Sequence, residues 1–233
     1  MCGRYTLTLK GRLFDHDELD EVAIQGKGFT PRYNIAPGQN ATVIRLEDDG
    51  LAVASLRWGL IPSWATDPKI AWQCVNARSE TVASEPAFRS ACRKRRCLVP
   101  ADGFYEWQLV GAGKQPWRFA RPTGGLLGFA GLWESWIDAR DQTSVETFTL
   151  CTTTPNAVTS PIHDRMPVIL SPDAAMAWLA PSKRPEALSA LLVLAPDDLL
   201  TRYPVSTLVN NARNDVPECV NPSEILNESP LLP

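Results

Sequence analysis

The run Cys97-Leu98-Val99-Pro100-Ala101-Asp102-Gly103-Phe104-Tyr105-Glu106-Trp107 reads as two strand segments, 97–100 and 103–107, joined by the turn Ala101-Asp102. Its odd member is Glu106, an acid flanked by Phe104, Tyr105 and Trp107. Alternation puts that carboxyl on one face of the strand. Facing inward it needs a partner or a raised pKa; facing outward it is an ordinary surface position. The residues alone leave both orientations open.

Working outward, 117–120, 126–133 and 146–152 continue the strand pattern, with Gly111-Ala112-Gly113 and Thr123-Gly124-Gly125 as turns. Upstream, Ala41-Thr42-Val43-Ile44 and residues 51–56 flank Asp48-Asp49-Gly50 at hairpin spacing, and an opening strand is expected over 4–9. Helices are few. An amphipathic one is predicted over 13–24, carrying His16 on its polar side, and others over 82–96, 174–179 and 185–194, the third introduced by Ser171-Pro172-Asp173. The expected sheet is antiparallel and curved.

The chain has 233 residues, 44% apolar and 21% charged, a balance that suits a soluble globular protein, and no linker or repeat interrupts it. A single domain over 1–233 is the simpler organisation. Apolar runs such as Leu126-Leu127-Gly128-Phe129-Ala130 are too short to span a bilayer and the start lacks a secretory pattern, so the expected location is cytoplasmic, away from membranes. The six cysteines, at 2, 74, 92, 97, 151 and 219, form no C-x-x-C pair, and His16 and His163 are the only histidines. Reduced thiols, no metal and no cofactor are expected.

A net charge of −3 excludes coating nucleic acid by bulk charge, so any such contact must be local. Arg93, Lys94, Arg95 and Arg96 at the end of the predicted helix over 82–96 serve equally as a complement to a helix dipole or as a phosphate-attracting patch. Trp58 and Trp64, in the Pro/Gly-broken loop Arg57-Trp58-Gly59-Leu60-Ile61-Pro62-Ser63-Trp64, are either core plugs or a stacking platform.

The start, Met1-Cys2-Gly3-Arg4-Tyr5, carries distinctive chemistry. With Met1 removed, Cys2 offers an amine and a thiol on adjacent carbons, titrating in free form near ~8 and ~8.5, so both are usable nucleophiles at neutral pH. An aldehyde condenses with the amine, and the thiol closes the imine into a five-membered thiazolidine.

Six motifs occur in order: Met1-Cys2-Gly3-Arg4-Tyr5, Tyr33-Asn34-Ile35-Ala36-Pro37, Trp58-Gly59-Leu60-Ile61-Pro62, Asn76-Ala77-Arg78-Ser79-Glu80, Gly103-Phe104-Tyr105-Glu106-Trp107 and Ile162-His163-Asp164-Arg165-Met166-Pro167. Together they resemble the SOS response-associated peptidase (SRAP) family over about residues 2–216, leaving 217–233 as a tail. The resemblance implies an α+β domain with a curved, mostly antiparallel, barrel-like sheet core and flanking helices, acting as a monomeric sensor of abasic sites in single-stranded DNA. Cys2 would be the catalytic residue, capturing the ring-opened sugar as a thiazolidine cross-link that shields the lesion. Asn76 would hold the Cys2 region, Glu106 would orient or deprotonate the amine, and His163 would assist ring opening and proton transfer. Arg78 and Arg165 would bind flanking phosphates, Arg4 and Asn34 would line the pocket, and Trp64 and Trp107 would stack on bases. Some members carry a second tryptophan after Trp64, where this chain has Ala65.

Two other functions fit parts of the pattern. A cysteine peptidase could use Cys2, His163 and Glu106 as nucleophile, base and orienter, acting also on the Met1–Cys2 bond. A binding module could recognise single-stranded DNA without chemistry.

Overall fold

The computed structural model describes residues 2–13, 23–24, 29–111, 113–181 and 185–225. In chain order its elements are β1 (Tyr5–Leu7), β2 (Gly11–Arg12), β3 (Ala23–Ile24), β4 (Arg32–Ile35), β5 (Asn40–Glu47), β6 (Gly50–Trp58), β7 (Asn76–Arg78) and α1 (Arg89–Lys94). There follow β8 (Arg96–Ala101), β9 (Gly103–Val110), β10 (Gly113–Ala120), β11 (Leu127–Ile137), β12 (Ser144–Thr153), β13 (Met166–Pro167), β14 (Ile169–Leu170), α2 (Pro172–Leu179), α3 (Pro185–Ser189) and β15 (Thr201–Pro204).

Strands β12, β6, β5, β8 and β11 pair in that order, and β11 pairs back to β12, which closes a five-strand barrel. All these pairings are antiparallel except β12 with β6. Trp58, Phe129 and Phe148 fill the core with Tyr5; the ring centroids of Tyr5 and Trp58 are 5.3 Å apart and nearly edge-on. A second sheet, ordered β15-β10-β9-β1-β4, lies against the barrel, with Phe104 from β9 packing edge-on to Phe129 from β11. The expected curved, mostly antiparallel, barrel-like core is present, with few and short helices.

The stretch 97–107 is not a hairpin. β8 belongs to the barrel and β9 to the second sheet, so Asp102 is the corner where the chain changes layers. Its carboxylate is 3% exposed and accepts from the Thr6 hydroxyl, the Thr8 amide (2.6 Å) and hydroxyl, and the Leu9 amide (3.0 Å), with Arg118 Nη2 3.2 Å away. That network fixes β1 against β9.

Two predicted helices differ. Residues 79–88 form stacked turns, and only Arg89–Lys94 is helical. Pro86 has no amide hydrogen to donate and disfavours helical backbone at Glu85, so the helix starts after it. Of the basic cluster, Arg96 is buried and donates to the carbonyls of Cys92, Arg93, Trp178 and Ala180, and Arg95 pairs with Glu134 at 2.6 Å. These two arginines close helix ends and an ion pair rather than forming a phosphate patch. The predicted helix over 13–24, with His16, lies mostly outside the described residues; its described end, Ala23–Ile24, is a strand paired with Gly11–Arg12. The segment 185–194 is helical only to Ser189, whereas α2 starts as predicted, with the Ser171 hydroxyl accepting from the Ala174 amide.

All six cysteines are free thiols and buried. Among the described residues no group of side chains is arranged to hold a metal, and no helix is long and apolar enough to cross a membrane.

Candidate active site at the amino terminus

Cys2 precedes β1 and is fully buried. Its position follows from its neighbours. The Tyr105 amide donates to the Arg4 carbonyl at 3.0 Å, which carries the pairing of β1 with β9 one step further toward the terminus. The Cys2 thiol also points at the Arg4 carbonyl, at 3.8 Å. From the barrel side, Asn76 on β7 donates its Nδ2 to the Cys2 carbonyl at 3.0 Å. β7 is held there by parallel pairing with β12, Asn76 opposite Leu150. The Asn76 Oδ1 is buried and has no hydrogen-bond partner among the described residues.

Glu106, on β9 one residue past Tyr105, faces inward and is 2% exposed. His163 Nε2 lies 3.7 Å from its Oε2. The imidazole is oriented by its own loop, in which the Arg165 amide donates to His163 Nδ1 at 3.0 Å. The same Nδ1 lies 3.1 Å from the Asp164 carboxylate, so the ring is held between its own loop and Glu106. Arg165 in turn anchors the loop: its guanidinium makes a two-point ion pair with Glu80 (2.6 and 2.9 Å) and donates to the Thr152 carbonyl (2.6 Å).

Arg4, Glu106, Trp107, Lys114, His163 and Asn210 line a cavity of about 500 Å³. Arg4 is fixed by donating Nη1 to Asn34 Oδ1 (3.2 Å) and to the Val209 carbonyl (2.8 Å), and its guanidinium carbon lies 6.0 Å from the centre of the Trp107 ring. The Trp107 indole donates to Asn210 Oδ1 at 2.7 Å.

Burial dominates the electrostatics. It pushes the Cys2 thiol far above the usual range, with the negative charge of Glu106 adding to the effect. Burial likewise pushes Glu106 up to about 8, the positive amino terminus pulling the other way and Asp164 adding to the rise. His163 falls below its usual value, first through burial and then through the same positive terminus. Near neutral pH the site therefore holds a thiol, a carboxyl poised to lose its proton, and a neutral imidazole.

The sequence-derived site residues separate into two groups. Cys2, Asn76, Glu106 and His163 converge, with Arg4 and Trp107 on the same cavity. Asn34 does not line it: fully buried, it donates Nδ2 to the carbonyls of Val209, Asn211 and Asn214 and so ties the loop after β15 to β4. Arg165 faces Glu80, which a phosphate would have to displace. Arg78 and Trp64 are exposed, Trp64 by 59%, and neither is on the cavity wall. Trp58, in contrast, is a core residue donating to the Val75 carbonyl. Sequence reasoning missed Asn210, Lys114 and the anchoring role of Glu80. The density of asparagines in Asn210-Asn211-Ala212-Arg213-Asn214 was the available signal for the loop, since their short amides suit backbone bracing.

The family model for SOS response associated peptidase (SRAP) matches residues 1–212. This chain belongs to the SRAP family. It is 40% identical over 224 residues to the abasic site processing protein YoaM of Bacillus subtilis, covering 95% of this chain and 98% of that one. To the abasic site processing protein HMCES of Xenopus tropicalis it is 33% identical over 222 residues, covering 82% of this chain and 66% of the other. Among solved structures, a protein from Bacteroides thetaiotaomicron superposes with a TM-score of 0.81 at 26% identity, covering 96% of this chain and all of that one. Four of the six motifs, those holding Cys2, Asn76, Glu106 and His163, supply the residues that gather around Cys2.

Proposed function

We propose that this SRAP chain processes abasic sites in single-stranded DNA, by forming a thiazolidine between the sugar aldehyde and the amine and thiol of Cys2 once Met1 is gone. The observation that carries the reading is the setting of Cys2: buried near Glu106, which lines a cavity with His163, and with its thiol aimed at the Arg4 carbonyl.

Glu106, as the carboxylate, takes a proton from the Cys2 ammonium. The amine then adds to C1′ of the ring-opened sugar, giving a carbinolamine. The protonated Glu106 gives that proton to the hydroxyl, which leaves as water, and takes the remaining nitrogen proton as the imine forms, while the neutral His163 imidazole beside it steadies the departing oxygen. The Asn76 Oδ1 can accept from the Cys2 nitrogen while its Nδ2 holds the Cys2 carbonyl, keeping the lone pair directed. Finally the thiol sulfur bonds to the imine carbon and its proton passes to the nitrogen, closing the ring. A thiol that stays protonated suits this order, with amine first and sulfur second. It also protects Cys2 from oxidation at rest.

A cysteine peptidase would need a thiolate paired with an imidazole. Here the nearest resolved partner of the thiol is a carbonyl, and burial opposes ionisation. Both features favour aldehyde capture over peptide-bond attack. A role confined to binding would leave the inward carboxyl and imidazole without work.

The test is intact mass measurement of the purified protein before and after mixing with abasic single-stranded DNA. The expected results are loss of the initiator methionine and a denaturation-resistant adduct heavier by the oligonucleotide minus one water. Undiminished attachment after selective blocking of the amine would overturn the reading.

A further inference from the structure

Arg93 and Lys94 are the last residues of α1; both are exposed, and neither side chain makes a hydrogen bond or ion pair among the described residues. Basic residues at a helix end ordinarily answer its bare carbonyls. Here the buried Arg96 guanidinium does so, donating to the carbonyls of Cys92 and Arg93 on α1 and to those of Trp178 and Ala180 at the end of α2. Arg93 and Lys94 keep their charge for another anion.

Both line a cavity of about 510 Å³ that shares no residue with the one beside Cys2. Its wall is assembled from separate segments: the end of α1, Leu179 at the end of α2, Leu46 and Asp48 around the turn after β5, and Trp133 on β11. Trp133 is half-buried, with the Arg45 guanidinium carbon 4.2 Å from its ring centre, and its indole N–H makes no hydrogen bond among the described residues. Arg45 is itself matched by Glu47 at 2.8 Å and Glu146 at 2.7 Å, so Glu47, although on the wall, does not cancel Arg93 or Lys94. Asp48 is exposed and has no ion pair among the described residues.

This wall combines two adjacent cations, an aromatic surface with leucines, and one carboxylate acceptor. A phosphate suits the arginine and lysine together, a planar heterocycle suits Trp133 and Leu179, and an amino group on that heterocycle can donate to Asp48. The carboxylates of Glu47, Asp48 and Glu146 around the rim repel a long polyanion, so the fit is to one small molecule rather than to a strand. We propose that the cavity is a second binding site, for a free nucleoside monophosphate with an amino-bearing base. The phosphate sits on Arg93 and Lys94, and the base lies against Trp133. None of these residues takes part in the abasic-site chemistry, so the two readings stand or fall separately.

The experiment is calorimetric titration of the full chain with the monophosphates of deoxyadenosine, deoxycytidine and deoxyguanosine. Thymidine monophosphate, which lacks the amino group, and inorganic phosphate are separate probes, and an unphosphorylated single-stranded oligonucleotide is the competitor. Saturable binding at one site is expected for at least one of the three, with thymidine monophosphate and phosphate about tenfold weaker. Arg93→Gln and Lys94→Gln should each weaken that binding about tenfold, as loss of a hydrogen bond to a charged group does, and Asp48→Asn should narrow the preference over thymidine. The arginine and lysine changes break no internal bond, so folding is preserved, and cross-linking to abasic DNA should match that of the unsubstituted chain. Absence of saturable binding, equal affinity for inorganic phosphate, indifference to Arg93→Gln and Lys94→Gln, or displacement by the oligonucleotide would overturn the site.

Discussion

His163 Nε2 stands 3.7 Å from Glu106 Oε2 while His163 Nδ1 accepts the Arg165 amide. The imidazole thus stands beside a carboxyl that burial has pushed up to about 8. Two groups with opposed shifts share one cavity, an arrangement that divides acid from base.

Cross-linking should therefore accelerate with pH through about 8 as Glu106 becomes a carboxylate. Glu106→Gln should remove that rise and slow the reaction about 100-fold, within the range usual for loss of a general base. Stability should move the opposite way. The folded state keeps the Glu106 proton to a higher pH than the unfolded chain does, so its contribution is complete below the unfolded value of 4.5 and is lost as pH rises through about 8. Across that window the unfolding free energy should fall steadily as pH rises, from this group alone. Urea titrations of both proteins across the window check the slope, and Glu106→Gln should flatten it.

Cys2→Ser keeps the amine and removes the sulfur. Its product with abasic DNA should survive denaturation only after borohydride reduction, whereas the unsubstituted chain should need none. A stable, unreduced serine adduct would show that ring closure by sulfur is dispensable.

Asn34→Ala should act on stability first. It removes an amide that donates to the carbonyls of Val209, Asn211 and Asn214 and accepts from Arg4, leaving several buried groups unsatisfied. A loss of about 2–4 kcal/mol is expected in urea unfolding. Asn34→Asp should also be destabilising, because a carboxylate cannot donate to those carbonyls.

Glu80→Ala releases Arg165 from its two-point pair. The pair is partly exposed, so the melting temperature should change little. The cross-linking rate should still fall about tenfold, because the loop that presents His163 is no longer anchored and small misplacements are costly. Single-turnover kinetics at saturating DNA separate this from weakened binding.

Much of the chemistry was legible in the residues. An acid among aromatics and a histidine before an apolar strand line one cavity, and the cysteine at position 2 lies buried near the acid. Their orientation was not legible, because Glu106 faces inward only by virtue of β1 and the 155–165 loop, both distant in sequence. Asn34 illustrates the same difficulty: an asparagine that lines a pocket and one that braces three carbonyls look alike until the loop at 209–214 is placed. Arg95 and Arg96 read as free charge because their acceptors, Glu134 and the carbonyls of α2, lie far along the chain. Pro86, by contrast, was visible, and its effect on the helix over 82–96 was underweighted.

The bond from Arg4 to the Val209 carbonyl spans 205 residues. The wall beside the proposed nucleophile is therefore completed only when the segment after β15 docks back onto the first strand, so loosening that segment should release Arg4 and widen the entrance.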